Sequence, residues 1–207
     1  MTSGATVFVV DDDDALRRAT TRLLASHGFT VKAFASAEEF VAAFDPEASG
    51  CLLLDLRMPG QSGLELQRTL GERGATLPIV FLTGHADVPA SVHAMKHGAI
   101  DFLEKPVNEV QLVDALGRAI ARDTEMRALR TERARLQRRY DALTPREREV
   151  FDEVVAGQLN KQAAYALGIA ERTVKLHRAR LLEKMGAASL ADLVRMAERL
   201  GLGPKRT

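Results

Sequence analysis

Cysteine is almost absent from these 207 residues, and the one present, Cys51, cannot close a disulfide within the chain. Its place in the apolar run Cys51-Leu52-Leu53-Leu54 makes it a small core side chain rather than a reactive thiol. No stretch approaches the roughly 18 consecutive apolar residues of a membrane helix, and no basic region followed by an apolar segment opens the chain. Neither a membrane span nor a signal peptide is expected, so the reading is a cytoplasmic protein without a membrane partner. Internal repeats and low-complexity segments are also missing. Between Pro106 and Pro145 there is no proline, and up to about Tyr140 a single glycine, Gly117, interrupts a helical pattern. One long helix is therefore predicted to join the two halves of the chain.

Charge of one sign is not in overall excess, because the formal net charge is +1, but that value hides a division. Residues 1–123 carry 11 Lys+Arg against 17 Asp+Glu, a net of −6, whereas residues 124–207 carry 18 against 11, a net of +7. An acidic module that could bind a cation is joined to a basic one suited to a polyanion such as nucleic acid. Basic residues that simply solvate helices would give the same sum.

The first half alternates short apolar runs with helical patterns. Strands are predicted at Thr6–Val10, Thr30–Phe34, Cys51–Leu54, Ile79–Leu82 and Ile100–Leu103, with helices beginning near Ala15, Ala37, Gly63 and Val88. That order predicts an α/β fold, a five-stranded parallel doubly wound sheet with helices on both faces. Asp14 is placed to cap the first helix, and Ser36 with Glu39 to form a capping box on the second. In the long helix Val110, Val113, Leu116 and Ile120 are expected to pack on the sheet, while Met126, Leu129, Arg133, Leu136 and Tyr140 recur at spacings that suit either a short coiled-coil seam or a solvated linker. Beyond Leu143 only helices are predicted. Thr144, Pro145 and Glu147 start the first, Asn160 the second, Glu171 the third and Ser189 the last, and the short turn Gly168-Ile169-Ala170 makes a helix-turn-helix within an all-α four-helix unit.

Three strands deliver charged groups to their carboxyl ends, where open α/β sheets bind ligands. Asp11 to Asp14 follow the first, Asp55 ends the third ahead of Leu56-Arg57-Met58-Pro59-Gly60, and Lys105-Pro106 follows the fifth. That set suits a divalent hard cation held by oxygens, an anionic group on Asp55 and an ammonium that neutralises it. Alone, the four aspartates could simply favour a helix N-terminus. His85, His93 and His97 lack an acidic or cysteine partner at ligand spacing and read as ordinary surface histidines. On the helix from Glu171, a wheel at about 100° per residue gathers Val174, Leu181 and Met185 on one side, flanked by Leu182 and His177. The opposite side bears Arg172, Lys175, Leu176 and Ala179, a face suited to the major groove, with Thr173, Asn160 and Lys161 as backbone positioners. Without the preceding turn, a solvated basic face would be the better reading of that helix.

Asp11-Asp12, Asp55-Leu56-Arg57-Met58-Pro59, Thr83 and Lys105-Pro106, in that order, resemble the receiver domain of two-component response regulators. The stretch Leu143 to Val150, with Asn160-Lys161 and Arg172-Thr173-Val174-Lys175-Leu176-His177, resembles the LuxR/NarL-type helix-turn-helix, and together they resemble the FixJ-type subfamily over nearly the whole chain. The resemblance implies a receiver over 1–122, a linker helix over 123–142 and a DNA-binding domain over 143–207. It implies a phosphoryl group passed from a sensor histidine kinase to Asp55, and Mg²⁺ or Mn²⁺ held by Asp12, Asp55 and the Arg57 carbonyl, with Asp11 acting through water. Lys105 would pair with the phosphoryl oxygens, Thr83 would hydrogen-bond one of them, and Phe102 would rotate in response. Small Gly84 would leave access open. Dimerisation on phosphorylation would use the fourth helix and fifth strand, with Val92 and Lys96 as contact candidates, and the partners would be double-stranded promoter DNA and RNA polymerase. Ala170 stands where such proteins usually have a serine cap, and Ala179 lacks the basic side chain some relatives use. Two other classes fit part of the pattern: an aspartate-nucleophile phosphatase, whose nucleophile should lie on the first strand, and a constitutive DNA-binding protein whose receiver is only a dimerisation module.

Overall fold

The computed structural model describes residues 5–84 and 88–203, so His85 lies outside the described residues. They fall into two compact units, 1–127 and 128–207. The first contains β1 (Thr6–Val10), α1 (Asp14–Ser26), β2 (Thr30–Phe34), α2 (Ala37–Ala43), β3 (Gly50–Asp55), α3 (Gly63–Glu72), β4 (Ile79–Thr83), α4 (Val88–Lys96) and β5 (Asp101–Glu104). Helix α5 runs over Glu109–Asp141, and α6 (Pro145–Val155), α7 (Asn160–Leu167), α8 (Glu171–Met185) and α9 (Leu190–Leu200) belong to the second unit. No helix among the described residues is long and apolar enough to cross a membrane.

The five strands pair in parallel in the order β2-β1-β3-β4-β5. Because side chains alternate across a strand, each apolar run supplies two faces. Phe8, Val10, Leu52, Leu54 and Phe81 pack with Phe40 of α2 and Leu66 of α3, whereas Val7, Val9, Cys51, Leu53, Val80 and Leu82 pack with Leu24 of α1 and Leu116 of α5. Burying each such side chain contributes about 1.5–3 kcal/mol. The central strands β3 and β4 are buried along their whole length, and this holds Asp55 and Thr83 in fixed register, with Asp55 opposite Leu82 and Thr83 opposite Glu104.

Three local expectations are corrected. Asp13, not Asp14, caps α1: its Oδ1 accepts from Ala15 N and Leu16 N at 2.9 and 3.1 Å. Asp14 is already helical and pairs with Arg17 and Arg18. Ser36 does accept from Glu39 N, but the Glu39 carboxylate reaches Ala35 N at 2.7 Å, one residue short of closing the box. Val110 is 75% exposed, because it sits about 120° around α5 from Leu116 at 3.6 residues per turn. Leu112, Ala115, Leu116, Ala119 and Ile120 form the buried stripe.

In the second unit, Val174, Leu181 and Met185 of α8 are fully buried, as the wheel predicts, among Val150, Phe151, Ala163, Leu193 and Leu200. Leu136 is buried in the same core and Tyr140 packs edge-on to Phe151 at 5.1 Å, so the end of α5 spends its apolar side chains there. Leu129 and Arg133 stay exposed. Gly168 closes α7 at φ 64°, a left-handed conformation that favours glycine, and thereby makes the turn into α8.

The start of α6 carries a buried polar anchor of this unit. Glu147, 3% exposed, accepts from Thr144 N at 2.8 Å and from Lys184 of α8 at 2.7 Å, while Thr144 Oγ1 accepts from Glu147 N. The Lys184 ammonium, then the Thr144 amide, outweigh burial and hold the Glu147 carboxyl at about 2, below its ordinary 4.5. A depressed folded-state value means that this stabilisation is complete above about pH 4.5 and is lost as pH falls toward about 2. Glu147→Gln is expected to lower stability at pH 7 by about 1–2 kcal/mol and to flatten that acid slope, as measured by denaturant unfolding of the full chain followed through helical circular dichroism.

Candidate functional site

The carboxyl ends of β1, β3 and β5 bring together the groups that the motifs single out. Lys105, one residue past β5, donates from Nζ to Asp55 Oδ2 at 2.7 Å and to Asp11 Oδ2 at 2.9 Å. The remaining oxygens are held by backbone amides: Asp11 Oδ1 accepts from Asp13 N and Asp55 Oδ1 from Arg57 N. Asp11 and Asp55 are buried, Asp12 is exposed, and each offers a carboxylate oxygen within 4.8 Å of the others. Among the described residues this is the one group of three or more potential metal-ligating side chains so arranged. The Lys105–Pro106 peptide is cis.

One ammonium faces three carboxylates. At such separations and an effective dielectric of about 20, two like charges repel by on the order of 3–4 kcal/mol, so the cluster favours a further cation. Burial is the main cause that raises the Asp11 carboxyl above its ordinary range; Lys105 opposes it and the Asp55 charge adds to it. For Lys105, burial pulls the ammonium down, but its bonds to Asp55 and Asp11 win and hold it above its ordinary value. The site is an all-oxygen, partly desolvated pocket, whose donor set fits a hard divalent ion.

Thr83 ends β4 and is 1% exposed, whereas Gly84 beside it faces open space. Phe102 is half-buried on β5 with its ring 6.1 Å from that of Phe81. Val92 and Lys96 lie exposed on α4, away from the carboxylates in sequence and on a separate element. His93 and His97 stack at 4.1 Å, and His97 Nδ1 bonds to the His93 carbonyl.

Sequence reasoning missed three supports. Arg17 Nη1 donates to the Asp11 carbonyl at 2.7 Å and so pins the acidic loop onto α1. Ser62 and Glu65 form a complete capping box on α3, a signal that was readable. Gly63 follows it, and a Cβ there would stand 2.3 Å from the Asp55 carbonyl oxygen and 3.1 Å from the Phe81 ring. No pattern in the chain announces so close an approach.

On the second unit, Arg172, Lys175, Leu176 and Ala179 are exposed along one side of α8, with Lys175 in an ion pair to Glu171 at 3.1 Å. Thr173 and Asn160 are partly buried and Lys161 is exposed at the start of α7. Ala170 caps α8 with no side-chain bond, as its sequence requires. A fourth basic residue, Arg178, had not been singled out; it donates to Asn160 Oδ1 at 2.6 Å.

A doubly wound sheet with an acidic and lysine pocket, carried on one chain with a helix-turn-helix, is the pattern of a DNA-binding response regulator. Residues 7–117 match the family model for the response regulator receiver domain, and residues 141–197 that for bacterial regulatory proteins of the luxR family. The chain belongs to the FixJ-type response regulators and acts in two-component regulation of transcription, a transcription factor rather than a metabolic enzyme. It is 46% identical to nodulation protein W of Bradyrhizobium diazoefficiens, over 98% of this chain and 89% of the relative. It is 45% identical to the transcriptional regulatory protein FixJ of Rhizobium meliloti, over 96% of this chain and 98% of that one. The solved structure of response regulator StyR superposes with a TM-score of 0.85 at 45% identity, over 95% of this chain and 100% of the other.

Gly63→Ala is expected to destabilise the receiver unit by about 1–3 kcal/mol, because the methyl group meets backbone rather than a flexible side chain. Gly71→Ala, on the same helix and facing open space, should instead gain up to about 1 kcal/mol. Urea unfolding of both variants checks the contrast.

Proposed function

We propose that Asp55 is the phosphoryl acceptor and that its modification switches the DNA-binding unit. The observation that carries this is the Lys105 ammonium bonded at once to Asp55 and Asp11 beside the exposed Asp12. A sensor histidine kinase would supply the group: the P–N bond of its phosphohistidine breaks, a bond forms from phosphorus to an Asp55 carboxylate oxygen, and the imidazole leaves. Asp11, Asp12, Asp55 and the Arg57 carbonyl would hold Mg²⁺ or Mn²⁺, whose charge lets two anions approach. Lys105 is then drawn to the phosphoryl oxygens. Thr83 donates its hydroxyl to one of them, and the movement of its loop gives the Phe102 ring room to turn inward. Loss of the phosphoryl group to water is assisted by the same residues, without turnover of an external ester.

Downstream, the face of α4 and β5, with Val92 and Lys96, forms the contact of a phosphorylation-dependent homodimer. Paired DNA-binding units then reach two half-sites of promoter DNA. Arg172, Lys175 and Leu176 face the groove, Ala179 supplies an apolar methyl, and Thr173, Asn160 and Lys161 position the backbone. The working division is a receiver over 1–122, a linker over 123–142 and a DNA-binding domain over 143–207, in a cytoplasmic protein that also meets RNA polymerase.

The test is a gel shift on genomic fragments selected by the phosphorylated wild type. Treatment with a small acyl phosphate and magnesium is expected to raise wild-type affinity at least about tenfold, a change of about 1.4 kcal/mol, and to leave Asp55→Ala at the untreated level. An Asp55→Ala variant that bound as tightly as the phosphorylated wild type would remove the switch.

A further inference from the structure

Arg178 lies in the middle of α8, yet its Nη1 reaches back to the first residue of α7, donating to Asn160 Oδ1 at 2.6 Å in a partly shielded position. The contact ties the opening turn of the first helix of the motif to the second at a point well away from the Gly168–Ala170 connection. Its partner is a neutral amide, and among the described residues the guanidinium makes no ion pair, in contrast to Lys175, which is paired with Glu171. A guanidinium carries five donors in a rigid fork, and a single bond to an amide oxygen leaves most of them to other acceptors. Nearby, Lys161 is exposed at the start of α7, while exposed Ala179 brings no charge to the recognition face.

We infer that Arg178 is a positioning residue for DNA binding: it docks Asn160 and the start of α7 against the recognition helix, and it presents its remaining donors to one backbone phosphate. The inference rests on the DNA-binding reading above. On this account the orientation of Arg178 matters as much as its charge, since Asn160 sets the direction of the fork. A residue that only braced the fold would change stability and leave the ionic component of DNA binding as it was.

The experiment uses the full chain treated with an acyl phosphate and magnesium, and a duplex of about 20 base pairs of mixed sequence, with affinity read by fluorescence anisotropy across a salt series. Arg178→Ala is expected to weaken binding about tenfold and to reduce the slope of log affinity against log salt by about 0.9, the value of one lost phosphate contact. Arg178→Gln, which keeps a donor for Asn160 without the charge, should lose the same slope and guard against a misfolded alanine variant. Arg178→Lys should keep the slope but recover less than a third of the lost affinity. Asn160→Ala should weaken binding several-fold, and the double variant Arg178→Ala/Asn160→Ala should be no worse than about tenfold in total, because the two act as a unit. The inference is overturned if Arg178→Ala and Arg178→Gln both leave the slope unchanged, if lysine restores full affinity, or if the single effects multiply. A wild-type chain that bound no duplex at any salt would remove the DNA reading itself, and this inference with it.

Discussion

The interaction on which the rest of this molecule depends is the Lys105 ammonium shared between two buried carboxylates, at 2.7 Å from Asp55 and 2.9 Å from Asp11. One ammonium stands between these two acids, and it does not match the charge of both with Asp12 added. The carboxylate oxygens suit a hard metal ion, and on the proposed reading Lys105 is the cation that meets the charge of an anion carried on Asp55. The three groups come from positions 11, 55 and 105, so their meeting is a product of topology. Strand order β2-β1-β3-β4-β5 sets β1 beside β3, with β5 two places away across β4, and all three run the same way.

That geometry is only as stiff as what holds the strands. Full burial of β3 and β4 fixes register, because a slip of one residue would turn every Leu and Val to the wrong face. Gly63 lets α3 begin directly against the Asp55 carbonyl, Arg17 ties the acidic loop to α1, and Asp13 secures the same loop to the helix that follows it. The second unit is built differently, around α8. Glu147 joins its start at α6 to Lys184, and the apolar stripe of Val174, Leu181 and Met185 leaves the opposite side, from Arg172 to Ala179, facing outward.

Much of this was legible from the residues. Five apolar runs bounded by helical patterns define the parallel sheet, and acid, acid and lysine at three strand ends define the pocket. Helix starts at Pro145, Asn160 and Glu171 follow from capping and turn signals that act within four residues. What could not be read depends on contacts between distant elements. The Arg17 bond to the Asp11 carbonyl, the space at Gly63 and the Arg178 bond to Asn160 leave no periodic trace, because each needs two elements in their final places. The misplacement of Val110 has a simpler origin. Apolar residues spaced three and four apart can be chosen on either of two overlapping stripes of α5, and the sheet selects the one with Leu112 and Ala119. Buried Asp123 also escaped notice. It accepts from Ser49, Gly50 and Arg127, and so fastens α5 to the start of β3 at the end opposite Asp55.

The central claim is that neutralisation by Lys105 and a bound cation makes one side chain, Asp55, accept additional negative charge. Peptide mass spectrometry after incubation with a small acyl phosphate and magnesium addresses it directly. The account predicts a single phosphoryl group on the peptide that contains Asp55, and a loss of that modification when magnesium is chelated beforehand. Absence of any added phosphoryl group in the presence of magnesium, or its appearance on another residue, would contradict it.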